Sequence, residues 1–315
     1  MCRDTESIRA VARRVQLHRW SVWLLIMSKR KSIAAPFAVA LAVVALAVTS
    51  AIGGTQPPPR VAGADAVEPG RFVWRDLMTK DMAAAKQFYG ELFGWRFENA
   101  RRGDRPYVLA RKATIPIAGI VDISGTADAG AQWLSYMSVS DVDKSVAFVR
   151  AERGQVLVEP RELPMARVAV VTDPEGAPLG LAQFRRSVPD PSEPSPHHFF
   201  WQEYLARDAE QALVFYKRLG GFDSVLLESR LEVDYHVLRS TRGRAGLFRL
   251  PPQVAGVQPN WLPYVLVSDP AAFAARAVAL GGRVVVPAAP ERRNGSLAVI
   301  ADPGGAVLAL QKYPF

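Results

Sequence analysis

Two stretches of this chain, 127 residues apart, carry one pattern. Phe72-Val-Trp-Arg-Asp-Leu-Met-Thr-Lys-Asp81 returns as Phe199-Phe-Trp-Gln-Glu-Tyr-Leu-Ala-Arg-Asp208. At this spacing Trp74 matches Trp201, Asp76 matches Glu203, Asp81 matches Asp208, Phe88-Tyr89 matches Phe215-Tyr216, and Gly94 matches Gly221. A repeat this long is a duplicated domain rather than a solenoid unit. The chain is therefore expected to fold as two copies of one module, and 315 residues suffice for a core in each.

Within the first copy, Phe72 to Thr79 reads as a strand and Asp81 as a helix N-cap. Ala85, Phe88, Tyr89 and Leu92 fall at i, i+3, i+4 and i+7, one apolar helix face, and Gly94 is a stop. Tyr107 to Arg111, Ile117 to Asp122 and Trp133 to Val139 read as strands. Asp141 caps a second helix, Val142 to Glu152. Gln155 to Glu159, Arg167 to Thr172 and Leu179 to Phe184 complete the sheet, the last two joined by a tight turn at Asp173-Pro-Glu-Gly176. Asp302-Pro-Gly-Gly305 repeats that turn in the second copy. The boundaries that follow are module 1 at 71–186, a proline-rich linker at 187–197 and module 2 at 198–314.

The net charge of +9 suggests nucleic acid, but its distribution argues otherwise. Residues 1–32 hold Arg3, Arg9, Arg13, Arg14, Arg19, Lys29, Arg30 and Lys31 against Asp4 and Glu6, which leaves only +3 for residues 33–315. The body is not a basic nucleic-acid binder. Ile33 to Ile52 is an uncharged apolar run after Lys29-Arg30-Lys31. It reads as a signal-peptide h-region, with Met27 a natural start, or as an uncleaved membrane anchor. Either reading places the rest of the chain outside the cytoplasmic membrane, in the periplasm or held to its outer side. Residues 53–70, with Pro57-Pro58-Pro59, read as an extended tether. The single cysteine, Cys2, precedes this segment, so the exported part has no disulfide or thiol chemistry.

The ordered set Trp-x-[DE]-x-x-x-x-Asp, Phe-Tyr-x-x-Leu-[FG]-Gly and Asp-Pro-x-Gly, present twice, resembles the vicinal oxygen chelate superfamily of glyoxalases, bleomycin-resistance proteins and extradiol dioxygenases. The resemblance covers Arg71 to Pro314 and is greatest to tandem members. It implies an α+β fold of two modules, each of paired βαβββ units curled around a cavity, with the modules facing each other as a pseudo-dimer. It also implies a divalent metal held by His and Glu on strands. The matching positions here are Trp74, Ile120, Leu134 and Gly180 in module 1, and Trp201, Leu247, Leu262 and Ala309 in module 2. None can coordinate a hard cation, so no metal or other cofactor is expected.

Strand alternation puts Trp74, Asp76 and Met78 on one face, and Trp201, Glu203 and Leu205 on the matching one. In the register the resemblance implies, that face lines the cavity, and these six residues are the candidate ligand contacts. The carboxylate is either a polar handle or general base, or a group bonded to nearby backbone or arginine. Arg75 is a candidate ion-pair partner in module 1, where module 2 has Gln202. Tyr107, Tyr136, Tyr235 and Tyr264 are repeat-matched aromatics, suited to core packing or to donating a hydroxyl. His236 is a further candidate ligand contact, read as a surface or cavity-rim histidine or as a general base, while the adjacent His197 and His198 read as a solvated pair. No catalytic residue is identified. A metal-free binder of a small apolar or aromatic molecule is the leading function. An enzyme with a non-standard site (lyase, isomerase or dioxygenase) and an envelope interaction module are the alternatives.

Overall fold

The computed structural model describes residues 67–102, 105–126, 129–186, 188, 190, 193–227, 234–250 and 256–313. The apolar run at 33–52, its basic flank and most of the tether lie outside the described residues. No helix among the described residues is long and apolar enough to cross a membrane.

Module 1 runs β1 (Phe72–Thr79), α1 (Met82–Phe93), β2 (Arg96–Arg102), β3 (Arg105–Lys112), β4 (Ile115–Asp122), β5 (Gln132–Ser138), α2 (Val142–Ala151), β6 (Val156–Glu162), β7 (Ala166–Thr172) and β8 (Pro178–Phe184). Module 2 repeats this order as β9 (Phe199–Ala206), α3 (Ala209–Gly220), β10 (Asp223–Leu227), β11 (Tyr235–Arg239), β12 (Gly243–Arg249), β13 (Asn260–Leu266), α4 (Pro270–Ala279), β14 (Arg283–Val286), β15 (Leu297–Ala301) and β16 (Val307–Gln311). Each module is one eight-stranded mixed sheet, ordered β2-β3-β4-β1-β5-β8-β7-β6 and β10-β11-β12-β9-β13-β16-β15-β14. Two βαβββ units meet in antiparallel pairing at the centre of each sheet, β1 against β5 and β9 against β13.

The helix starts follow from the aspartates. Asp81 Oδ1 accepts from Ala84 N at 2.9 Å, and Asp208 Oδ1 from Gln211 N at 3.1 Å. Each such cap stabilises its helix by about 1 kcal/mol. Gly94 (φ 68°) and Gly221 (φ 66°) close α1 and α3 in the left-handed conformation, which glycine adopts without a Cβ penalty.

The buried faces of the helices do not pack within their own module alone. One core joins α1 and β4 (Phe88, Leu92, Ile120) to α4, β15 and β16 (Ala274, Ile300, Leu310). The other joins α2, β7 and β8 (Val146, Val171, Leu181) to β9, α3 and β12 (Tyr204, Phe215, Leu247). The first unit of each module thus shares its hydrophobic core with the second unit of the other. These shared cores of helices and strands lie on one face of each sheet, and the opposite faces, the inner ones, carry two separate, mainly apolar clusters.

Polar contacts follow the same crossed pairing. The Tyr89 hydroxyl donates to Asp302 Oδ2 at 3.0 Å, and Trp133 Nε1 donates to the Tyr89 oxygen at 3.1 Å. The repeat-mate Tyr216 donates to Asp173 Oδ2 at 2.7 Å, with Trp261 Nε1 at 2.9 Å from its oxygen. The Asp-Pro-x-Gly turns are turns as read, since Asp173 Oδ1 accepts from Ala177 N and Asp302 Oδ1 from Ala306 N, both at 2.8 Å. Their second carboxylate oxygen reaches the helix tyrosine of the other module. His197 is not the solvated residue expected of the linker. It is half-buried against the end of α1, with Nδ1 2.9 Å from Phe93 O, and Lys112 Nζ donates to that same carbonyl at 2.6 Å.

Candidate functional site

Residues along β1 alternate between two environments. Leu77 and Ile120, register partners on β1 and β4, both enter the inter-module core. Asp76 and Gly119, the adjacent pair, face inward. The same holds for Tyr204 with Leu247 and for Glu203 with Gly246. This corrects the assignment of Ile120 and Leu247 to the cavity. A one-residue shift in a strand moves a side chain to the other face, and the inward residue of that strand is glycine in both modules.

Trp74, Asp76 and Met78 are brought together on the inner face of module 1, beside Leu134 and Tyr136. Asp76 is 1% exposed. Its Oδ1 accepts the indole N–H of Trp74 at 2.9 Å and the hydroxyl of Tyr107 at 2.7 Å, and the indole also lies 3.0 Å from the Tyr107 oxygen. This triad depends on Gly119. A Cβ there would stand 1.8 Å from Tyr107 Oη and 2.4 Å from Asp76 Oδ1. A groove of about 390 Å³ opens between α1 and the β2–β3 hairpin, lined by Met82, Lys86, Asn99, Ala100, Pro106, Tyr107 and Val108.

Trp201, Glu203 and Leu205 line the inner face of module 2 with Tyr235, Leu262 and Tyr264. Glu203 is 2% exposed and accepts from Tyr235 at 2.8 Å through Oε1 and from Tyr264 through Oε2. Trp201 Nε1 donates to the Tyr235 oxygen at 3.3 Å. Arg293 Nη2 lies 2.5 Å from Glu203 Oε1. Burial, then the Glu203 charge, pushes both phenols well above the ordinary tyrosine range. Burial opposes the charge on Arg293, but Glu203 outweighs it, and the guanidinium is held above its ordinary range.

Two other expectations are corrected by strand alternation. Arg75 is not the partner of Asp76, because adjacent strand residues point to opposite faces. It is buried between the modules, where Nη2 donates to Gln202 Oε1 at 3.2 Å and Nη1 to Phe72 O at 3.3 Å. Burial there pulls its pKa down to about 9. Arg75 and Gln202 are repeat-equivalent, and they meet each other across the two modules. His236 likewise faces away from Glu203. Its register partner on β12 is Leu247, in the core, while its neighbour Tyr235 takes the inward position. The residue that sequence reasoning missed is Arg293. It lies 90 positions from Glu203, in a loop with no repeat-matched arginine.

The donor set does not fit a divalent cation. A catalytic site needs about three protein ligands. Among the described residues no group of three or more His, Cys, Asp or Glu converges. At the positions implied for metal ligands, the inner faces carry Trp74, Leu134, Trp201 and Leu262. The ring of Tyr136 covers Gly180, where an added Cβ would meet it at 2.2 Å. Ala309 is buried opposite Tyr264.

The comparisons agree with this fold. Residues 71–181 match the model of the Glyoxalase/Bleomycin resistance protein/Dioxygenase superfamily. The candidate glyoxylase CFP32 of Mycobacterium tuberculosis is 33% identical over 244 residues, spanning 76% of this chain and 93% of the relative. The anthracycline biosynthesis protein DnrV of Streptomyces peucetius is 29% identical over 257 residues, 76% of this chain and 91% of the relative. Among solved structures, the Mn(II)-bound glyoxalase of Novosphingobium aromaticivorans superposes with a TM-score of 0.50 at 15% identity, covering 78% of this chain and 82% of that one. A homoprotocatechuate 2,3-dioxygenase variant from B. fuscum gives 0.52 at 15% identity, covering 82% and 74%. At that identity these two structures inform the fold alone.

Proposed function

This chain belongs to the glyoxalase/bleomycin resistance protein/dioxygenase superfamily, and from that membership we propose that it is a metal-independent binder of small aromatic molecules. One observation carries the reading. Each inner face presents aromatic and aliphatic side chains where metal ligands would stand, and its carboxylate is already held, Asp76 by Trp74 and Tyr107 and Glu203 by Tyr235, Tyr264 and Arg293. An apolar face with a few fixed polar groups suits a flat, partly polar guest. The name of DnrV, a protein of anthracycline biosynthesis, points to the same guest class. The name of CFP32 favours the second reading, a glyoxalase-type enzyme working through a non-standard site.

One experiment separates them. Protein purified without chelator and dialysed is expected to hold far less than one zinc, nickel, iron or manganese ion per chain by elemental analysis. An anthracycline is expected to raise its melting temperature saturably, because a ligand of the folded state stabilises it by mass action. Near-stoichiometric metal lost in Asp76→Ala or Glu203→Ala would establish the enzyme reading instead. No shift with any aromatic probe would remove the binder.

We place this binder outside the cytoplasmic membrane, on the strength of Lys29-Arg30-Lys31 and the apolar run after it. Protease added to intact spheroplasts should digest residues 55–315, and full protection would refute export.

A further inference from the structure

The inner face of module 2 already contains a cation. Arg293 and Glu203 are 9% and 2% exposed at the side chain. The guanidinium also donates from Nη1 to Gln311 Oε1 at 2.8 Å, and its carbon stands 5.6 Å from the centre of the Tyr264 ring. Gln311 is itself oriented, with Nε2 donating to Ser296 Oγ at 2.9 Å. Carboxylate, amide oxygen and aromatic face together form a seat for a flat cation.

The backbone that delivers Arg293 is unusual. Arg293 (φ 45°), Asn294 (φ 53°) and Gly295 (φ 74°) are three successive left-handed residues. Such a conformation is costly for a long side chain and persists only where surrounding contacts enforce it. Ser296 Oγ and Ser296 N both donate to Arg293 O, at 2.5 and 3.0 Å, and fasten the turn. The equivalent loop of module 1, Leu163-Pro164-Met165, has no arginine.

We propose that the inner face of module 2 is a binding site for a guanidinium or amine group, and that the chain occupies it with its own Arg293. The arginine is a tethered occupant that closes module 2, and an external cation enters only when it leaves. This deepens the reading of the inner faces as binding surfaces. Its test does not use the aromatic probe, so either idea can fail alone.

The test is chemical rescue in the full-length chain. Arg293→Ala removes the occupant and leaves a buried carboxylate without its cation, so its melting temperature should fall. Ethylguanidinium at low millimolar concentration, well below denaturing levels, should restore about half of that loss, saturably. It should leave the unsubstituted protein unchanged, because the seat is filled. The double variant Arg293→Ala/Glu203→Gln should fold without rescue, since no carboxylate remains to bind. If Arg293→Ala folds only when ethylguanidinium is present, the same conclusion follows. Failure of ethylguanidinium to rescue Arg293→Ala, or equal rescue of the double variant, would overturn the proposal.

Discussion

Asp173→Ala should lower the stability of the protein by about 3–5 kcal/mol, or roughly 10 °C in melting temperature for a fold of this size. Asp173 is 3% exposed and accepts from Tyr216, Tyr204, Glu175 N and Ala177 N. Removing it leaves the buried Tyr216 phenol and two turn amides without this acceptor, while Tyr204 keeps Glu175 Oε2 at 2.9 Å. Asp302→Ala should cost less, because Asp302 accepts from one phenol, Tyr89, where Asp173 accepts from two. The pH dependence has a definite sign. Burial raises the pKa of Asp173 above its ordinary value, so the folded state binds a proton that the unfolded state has already released. Stability from this group is greatest below the unfolded carboxylate pKa and is lost as pH rises through the folded one. The deficit of Asp173→Ala should therefore widen on acidification. Urea melts of both proteins across that range check this, and a constant deficit would contradict it.

Gly119→Ala should destroy the module 1 triad. Its backbone is not in the left-handed region, so the effect is purely steric. The new methyl would overlap Tyr107 Oη at 1.8 Å and its Cζ at 2.2 Å, and both contacts lie in the inner face. Overpacking of this kind costs about 1–3 kcal/mol, and the tyrosine must abandon Asp76 to relieve it. Anthracycline affinity should fall about tenfold or more if module 1 holds the guest, since one lost polar anchor and one displaced ring together exceed about 1.4 kcal/mol. Gly125→Ala, with nothing within 4 Å of the added methyl, is the control and should change neither stability nor affinity. Calorimetric titration reads both variants. Unchanged affinity in a folded Gly119→Ala would move the binding site away from Trp74, Asp76 and Tyr107.

Much of the architecture was legible because its determinants are local or repeated. The 127-residue spacing announced two modules. The aspartate caps and Gly94 fixed helix ends through contacts within a few residues. Trp74, Asp76 and Met78 shared a face because side chains alternate along any strand. The polar edge strand Arg96–Arg102 was harder to place. Its sequence, Arg-Phe-Glu-Asn-Ala-Arg-Arg, has little apolar alternation, and its pairing with β3 is what makes it a strand.

What the sequence by itself determined, then, is the duplicated module, its helix caps, its turns and the absence of metal-ligating residue types at the expected strand positions. Tertiary structure decided the rest. It put Ile120 and Leu247 in the core and turned Gly119 and Gly246 inward, because a pattern of alternation does not say which face is which. It sent the second oxygen of Asp302 to Tyr89, 213 residues away, and that of Asp173 to Tyr216, because each unit buries its outer face on the opposite module. It brought Arg293 onto Glu203 across 90 residues through a left-handed turn. Caps and turns are written in neighbouring residues, whereas the partner of a buried charge is set by which surfaces the whole chain must remove from water.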